Sequence, residues 1–270
     1  MKRSHATVKL AAVLISAGIG AVAWAAAAKL VNAKDGSGVF GYKDTPVQPW
    51  SGYVVHDPDR PAPPKVDPGP GGELKAPPAD AVVLFDGKDL SQWRPNTWKV
   101  AEGCMIAADG PMASVPEFGS VQLHLEWQQP VDPGPNVMNQ GNNGVFFGGG
   151  IEIQIFDSYR VKLYPDGQAA SVYAQTPPMV NACRKPGEWE VYDIVYTAPK
   201  FAEDGKVTEP ARITMLHNGL LVHLNQEVYG STPHRALGSY KSIKPKAPIA
   251  FGAHGCPIKF RNIWARPLGT

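Results

Sequence analysis

Two polar side chains alternate with apolar residues in a short run, which is the pattern of a half-buried strand. Glu152 and Gln154 alternate with three isoleucines over residues 151–155. Because successive side chains of a strand point to opposite faces, the isoleucines face a core and the carboxylate and amide face outward. Gly148-Gly149-Gly150 precedes the run and Asp157 follows it, and glycines allow a ligand to approach closely. These residue types suit sugar hydroxyls or a divalent cation, although a solvated strand face gives the same pattern.

A second polar set occurs on other predicted strands. His124 and Glu126 alternate with apolar residues, Arg261 lies in an alternating run near the C-terminus, and His254 precedes that run in a glycine-flanked loop. A histidine can act as an acid, a base or a ligand near neutral pH. Glu126 and Glu152 could form a carboxylate pair of the kind that glycosidases use, at a separation that the sequence does not give. An ion pair or a hydrogen bond to the backbone is the structural alternative for each.

Familiar catalytic templates are absent from this sequence. It contains no GxSxG, HExxH, P-loop or GxGxxG pattern. A formal net charge of +2 does not favour nucleic-acid binding, so no nucleic-acid partner is expected. Cys104, Cys183 and Cys256 allow at most one internal disulfide, and no CxxC or Cys/His cluster predicts a zinc site. We expect three buried thiols.

The elements that must position the polar residues are predicted to be short strands joined by tight turns. Glycine and proline, 28 and 27 of 270 residues, weaken helix interiors and argue against a helical bundle. Alternating runs occur at residues 121–127, 151–155 and 258–261, and Asn218-Gly219 between two apolar runs predicts a hairpin. The fold class is therefore predicted to be all-β, an antiparallel β-sandwich.

Residues 1–33 have the order of a secretory signal. Basic residues precede an apolar run over residues 10–28, and Val31-Asn32-Ala33 supplies small residues at the cleavage-site spacing. The apolar run is near the length that spans a bilayer, so an uncleaved N-terminal anchor helix is the alternative. Both interpretations predict an exported protein, periplasmic or extracellular, with membrane anchoring in the second case.

Residues 34–80 are predicted to be a Pro/Gly-rich spacer, and residues 81–270 a single sandwich domain. The spacer holds 7 glycines and 10 prolines and has no sustained period, so we expect it to be mostly disordered or polyproline-like. Its expected role is to hold the domain away from a membrane. Trp50, Tyr53 and Val54-Val55 could nevertheless dock on the domain.

An ordered set of short motifs over about residues 81–268 resembles a bacterial family, the 3-keto-disaccharide hydrolase domain (DUF1080-type). The stretches that carry the resemblance are Leu84–Trp93, Gln122–Trp127, Asn143–Phe146, Ile151–Tyr159, Asp166–Gln168, Pro177–Asn181, Lys185–Trp189, His217–Gly219, Thr232–Arg235 and His254–Trp264. No single stretch is diagnostic, whereas their order along the chain is specific.

The resemblance implies a concanavalin A-like or laminin-G-like jelly roll that acts on a glycoside oxidised to a ketone at carbon 3. A ketone there acidifies the proton on C2, so a base can remove it, the C1 substituent can leave and water can add. On this basis Glu152, Asp157 and His254 are the expected catalytic residues. His124, Glu126, Gln154 and Arg261 are the expected substrate-binding residues. A divalent cation could stabilise the enolate, and its ligands are not identified.

The chain departs from the family pattern at two positions. Ala253 stands where the family usually has an acidic residue directly before the histidine and glycine, and Ser120 stands where an aspartate is common. A non-catalytic carbohydrate-binding module at the cell surface is therefore the alternative to an exported hydrolase or lyase. A purely structural surface module is a third interpretation.

Overall fold

The computed structural model describes residues 29–71 and 75–269, and these residues form almost only strands. Within the described residues the strands are β1 (Val31–Asn32), β2 (Phe40–Gly41), β3 (Val82–Phe85), β4 (Lys99–Ala101), β5 (Cys104–Ile106), β6 (Met112–Phe118), β7 (Val121–Gln128), β8 (Asn143–Phe147), β9 (Ile151–Ile155), β10 (Trp189–Thr197), β11 (Lys200–Phe201), β12 (Val207–Glu209), β13 (Arg212–His217), β14 (Leu220–Glu227), β15 (Ala247–Ala253) and β16 (Lys259–Pro267). Short 3-10 helices lie at Val137–Asn139, Pro165–Gly167 and Tyr240–Ser242.

Two antiparallel sheets form the body of the protein. The large sheet has eight strands in the order β14-β13-β10-β7-β16-β5-β4, with β3 also paired to β16. The small sheet has four strands in the order β6-β15-β8-β9. The prediction of an all-β antiparallel sandwich is confirmed. Strands that are not consecutive in the chain pair within both sheets, and each sheet buries one of its faces.

The hydrophobic core lies between the two sheets. The apolar residues of β7 and the three isoleucines of β9 are fully buried in one cluster. Phe147 of the small sheet stacks on Tyr196 of the large sheet with ring centroids 4.7 Å apart. Tyr192 of the large sheet donates a hydrogen bond to the Gln154 carbonyl at 2.8 Å. Burial of alternating apolar residues on both sheets is the main stabilising contribution to such a core.

The two polar sets predicted from sequence consequently lie on opposite sides of the molecule. Glu152 and Gln154 alternate with core residues of β9 and face outward from the small sheet. His124 and Glu126 alternate with core residues of β7 and face outward from the large sheet. The core of the sandwich separates them, so they cannot form one site.

The turn between β13 and β14 has the predicted chemistry. Asn218 and Gly219 have φ values of 53° and 84°, which lie in the left-handed region that these two residues tolerate best. The predicted Asn-Gly hairpin is confirmed.

Much of the segment predicted as a spacer packs against the sandwich. Trp50 stacks on Tyr229 at 4.2 Å between ring centroids, and Val55 and His56 are fully buried. The backbones of Lys65 and Asn181 form an isolated β-bridge. This differs from the expectation of disorder and of a free spacer, and it agrees with the docking of Trp50 that the sequence left open. Aromatic side chains of the segment bury apolar surface against the domain. This burial offsets conformational entropy that a Pro/Gly-rich chain loses when it becomes ordered.

The predicted signal or anchor helix lies mostly outside the described residues, which begin at residue 29. Val31–Asn32, next to the predicted cleavage point, form β1 and pair with β2. Among residues 29–71 and 75–269, no helix has the length and apolar character needed to cross a membrane. Cys104, Cys183 and Cys256 are free and buried, which confirms the expectation of buried thiols.

Candidate functional site

A cavity of about 490 Å³ opens on the outer face of the small sheet. Its volume lies in the range typical of small-molecule sites, roughly 300–1,000 Å³. We call it the small-sheet cavity. It is lined by Met138, Asn139, Asn142, Phe146, Glu152, Gln154, Phe156, Leu163, Tyr164, Tyr173, Thr232, His234 and His254. Its floor comes from β8 and β9, and four loops form its walls.

Glycines on the outer face create the depression. Gly144 lies opposite Gln154 in the β8–β9 ladder and opposite Gly252 in the β8–β15 ladder. A β-carbon added at Gly144 would overlap the Glu152 carboxylate, and one at Gly252 would lie 2.9 Å from the Phe146 ring. Both glycines therefore leave the space that the Glu152 side chain and the cavity need.

Glu152 is a half-buried carboxyl in the cavity floor. Among the ion pairs of the described residues, none involves Glu152. Gln154 is placed to donate to Glu152 Oε1 at 3.2 Å and to the Asn143 carbonyl at 2.7 Å in the amide orientation that satisfies these neighbours. Burial without a cationic partner raises the pKa of Glu152 to about 8. At neutral pH the group is mainly a carboxylic acid, which can donate a proton.

His254 enters the same cavity from the loop that follows β15. Its residue surface is largely exposed at the cavity mouth. The imidazole is still partly shielded from solvent, and this desolvation lowers the pKa of His254 from its ordinary value. The imidazole is therefore neutral near pH 7 and can accept a proton. The structure thus brings together two of the three predicted catalytic residues, Glu152 and His254, with Gln154 beside them.

His234 is a third titratable residue of the cavity, and it is not among the site residues predicted from sequence. Thr232 fixes its loop to β9, because the Thr232 hydroxyl accepts from the Glu152 amide at 3.0 Å and the Thr232 amide donates to the Gly150 carbonyl at 3.0 Å. Burial and the charges of His56 and Arg235 lower the pKa of His234 to about 4. His234 belongs to the Thr232–Arg235 motif of the sequence. That motif does not indicate that the histidine shares a cavity with Glu152.

Asp157, the other predicted catalytic residue, does not line the cavity. Its carboxylate accepts from the Arg160 amide at 3.1 Å and from Arg160 Nε at 2.5 Å. These are the contacts of a turn cap, the structural alternative for this residue.

His124, Glu126 and Arg261 lie together on the outer face of the large sheet. His124 Nδ1 is 2.7 Å from Asp193 Oδ1, and Arg261 Nε donates to Glu126 Oε2 at 2.8 Å. Asn262 also donates to Glu126, at 2.9 Å. Burial acts to lower the pKa of His124, but the two carboxylates outweigh it and raise that pKa. The polar groups satisfy one another, as in a structural network.

The side chains of the small-sheet cavity do not form a ready metal site. In the described part of the chain, one group of three His, Cys, Asp or Glu side chains has its ligand atoms within 4.8 Å of one another, namely Cys183, Glu190 and His217. None of these lines the cavity. Glu190 already accepts from the Arg184 amide at 2.8 Å and lies 2.9 Å from His217 Nε2.

These features define a class of protein: a β-sandwich whose small sheet carries a cavity with one protonated carboxyl and two neutral imidazoles. A family model described as the 3-keto-alpha-glucoside-1,2-lyase-like domain matches residues 80–266. The chain belongs to this family, as the ordered motifs indicated.

Two solved structures are similar to this chain. One from Parabacteroides distasonis, described as a candidate glycosyl hydrolase, is 38% identical with a TM-score of 0.69 and covers 83% of this chain and 100% of its own. A second candidate glycosyl hydrolase from that organism is 23% identical with a TM-score of 0.52, covering 70% of this chain and 99% of its own. The second supports the fold alone. The comparison with curated proteins gives no match.

The first structure is also similar to part of the N-terminal segment. Residues 80–266 are 187 of the 270 residues, about 69% of the chain, whereas that structure covers 83%. Only residues 267–270 follow the family match, so most of the additional similarity lies before residue 80. Part of the chain before residue 80 is therefore also similar to this structure.

Proposed function

We infer that this protein is a carbohydrate-acting enzyme of the hydrolase type and that its substrate is a 3-keto-glycoside, cleaved in the small-sheet cavity. The observation that carries the proposal is that Glu152, His234 and His254 line one cavity, where burial raises the pKa of Glu152 to about 8 and lowers the pKa values of both histidines. The family membership supports the substrate class and a concanavalin A-like jelly roll for the sandwich.

These protonation states at neutral pH suit a β-elimination, in which the proton leaves the carbon α to the ketone and the substituent leaves the β carbon. A neutral imidazole, His254 or His234, accepts the proton from C2. The electrons of the C2–H bond form the C1–C2 double bond while the C1–O bond breaks, and the departing oxygen takes the Glu152 proton. Water then adds its hydroxyl to C1 and a proton returns to C2, so one water is consumed. Gln154 and Asn142 also line the cavity, and their side-chain amides would bind sugar hydroxyls in this proposal.

The remaining predicted site residues have no part in this proposal. Asp157, His124, Glu126 and Arg261 do not line the small-sheet cavity, and their catalytic or substrate-binding roles stay untested predictions. The absence of an acidic side chain at Ala253 leaves the histidine that follows it free of a carboxylate neighbour on that side, which suits a neutral base.

The test is incubation of the purified protein with a 3-keto-disaccharide and with the unoxidised disaccharide. We expect monosaccharide release from the ketone alone and solvent deuterium at C2 of the product. Glu152→Gln, which keeps shape but removes the proton, should lower kcat by about 10²–10⁴-fold. Glu209→Gln, an exposed strand glutamate, is the matched control and should leave kcat unchanged.

Saturable binding of the disaccharide without turnover would favour the carbohydrate-binding module instead. Turnover that survives Glu152→Gln would contradict the assignment of the proton donor while leaving the substrate class intact.

We also propose that the protein is exported, on the N-terminal sequence alone. N-terminal sequencing of the protein recovered from a secreting host would test this. Cleavage after residue 33 would remove β1, so the mature terminus also reports whether that strand is part of the working protein.

A further inference from the structure

The N-terminal arm, residues 39–60, packs behind side chains that line the small-sheet cavity. A second hydrophobic cluster contains Tyr42 of the arm with Phe156, Leu163 and Tyr164, and the last three line the cavity. The backbones of Phe40 and Leu163 form an isolated parallel β-bridge. The arm lies outside residues 80–266 of the family match, yet it contacts the side chains that shape the cavity.

A buried histidine and aspartate connect the arm to the domain. His56 and Asp166 are both fully buried. His56 Nδ1 is 3.1 Å from Asp166 Oδ1, and the His56 amide donates to Asp166 Oδ2 at 3.0 Å. The His56 backbone has φ 63°, a left-handed conformation that is uncommon outside glycine and asparagine. Two bonds from one carboxylate therefore fix both the backbone and the ring of His56.

The His56 ring packs against the side chains that hold His234. Its centroid is 4.0 Å from the ring of Tyr164, 5.0 Å from Tyr173 and 5.1 Å from His234. The hydroxyls of Tyr164 and Tyr173 are 3.2 Å apart, and the Tyr173 hydroxyl is 2.8 Å from His234 Nδ1. A continuous path of contacts thus runs from Asp166 through His56 and the two tyrosines to the cavity wall.

We propose that His56 is a positioning residue: with Asp166 it holds Tyr164 and Tyr173 so that the Tyr173 oxygen accepts from His234 Nδ1–H. This keeps His234 in the tautomer whose Nε2 is unprotonated and able to accept a proton. This rests on the proposed function, because His234 matters only if the cavity turns over a substrate. Burial raises the pKa values of both tyrosines, so their hydroxyls stay protonated and the hydrogen-bond chain persists over the working pH range.

The experiment uses the full chain with His56→Asn. Asparagine tolerates the left-handed backbone and can donate to Asp166, but it removes the ring that supports the tyrosines. We expect kcat to fall on the order of tenfold with KM nearly unchanged. The imidazole ¹⁵N signals of His234, assigned by their loss in His234→Gln, should move from one tautomer to a mixture.

Trp50→Ala is the matched control, because Trp50 anchors the same arm on Tyr229 without touching the cavity residues. It should lower Tm and leave kcat and the His234 signals as in the unmodified protein. Equal kinetic and spectroscopic effects of His56→Asn and Trp50→Ala would overturn the proposal, since the arm would then act through stability alone.

Asp166→Asn provides a second route if His56→Asn does not fold. It keeps the shape of the pair and loosens the ring, so the same change in the His234 signals is expected. Failure of both variants to fold at temperatures where Trp50→Ala folds would also overturn the proposal. The ¹⁵N measurement needs no substrate, so it tests the role of His56 even in a protein that is inactive on 3-keto-disaccharides.

Discussion

The outer faces of the two sheets carry the same residue types, glutamate and histidine with a neighbouring side-chain amide, yet their electrostatics are opposite. On the large sheet Glu126 is matched by Arg261, Asn262 and His124, and these partners outweigh burial and lower its pKa. On the small sheet Glu152 has no cationic partner among the described residues, and burial raises its pKa to about 8. Matched charges indicate a structural network, whereas a half-buried, unmatched carboxyl beside a cavity indicates chemistry.

Among the substitutions that test this difference between the two faces, the largest effect on kcat is expected at Gly144, which makes room for the Glu152 side chain. Gly144→Ala should displace the carboxyl and lower kcat by about 100-fold, since such a loss follows from a misplacement of about 1 Å. Steady-state kinetics on a 3-keto-disaccharide would measure it. Gly149→Ala, at a position where an added β-carbon meets nothing within 4 Å, is the control for a glycine change that affects only the backbone. Unchanged kinetics in Gly144→Ala would contradict the role of Glu152.

A smaller effect of a different kind is expected at Glu126. Glu126→Gln removes the charge that pairs with Arg261 and should lower the free energy of unfolding by about 2 kcal/mol. The kcat of the folded fraction should stay unchanged, because Glu126 does not line the small-sheet cavity. Chemical denaturation with parallel kinetics distinguishes these outcomes. A loss of kcat without a loss of stability would show that the large-sheet face takes part in turnover.

The smallest effect concerns the pH dependence of stability, whose sign differs between the two carboxyls. The folded pKa of Glu152, about 8, exceeds its ordinary value of 4.5. The folded state therefore holds a proton that the unfolded state has lost, and stability falls as pH rises through this window. Glu126, with a lowered pKa, contributes stability that is lost as pH falls below the ordinary value.

Thermal unfolding of the unmodified protein and of Glu152→Gln over that window tests the sign. The difference in Tm should grow in favour of Glu152→Gln as pH rises from about 4.5 to about 8, because the other titrating groups cancel in the difference. A constant difference would mean that Glu152 has an ordinary pKa.

Much of the fold was predictable from local patterns. Period-2 alternation in β7 and β9 identified strands and the buried face of each, and Asn218-Gly219 identified a hairpin, because both signals act within a few residues. Disorder was expected for residues 34–80 because proline and glycine content reports backbone preference. It does not report that a few aromatic side chains find complementary surfaces on a distant part of the chain.

The candidate site was predictable only in part, for the same reason. The outward face of β9 and the glycine-flanked loop before β16 pointed to Glu152 and His254. Nothing local distinguished them from His124, Glu126 and Arg261, which have equally regular spacing. The distinction depends on which carboxyl has a cationic partner across a sheet, and cross-strand partners are separated by more than a hundred residues, as for Glu126 and Arg261.

The sequence by itself determined the strand pattern, the turns, the buried thiols and the family, since each is written in neighbouring residues or in ordered motifs. Only the tertiary structure decided that Glu152 and His254 line a common cavity on the small sheet, that His234 joins it, that Asp157 does not, and that the N-terminal arm packs behind its wall. These depend on packing between strands and loops far apart in the chain, where burial and charge matching, rather than residue type, set the chemistry of each carboxyl and imidazole.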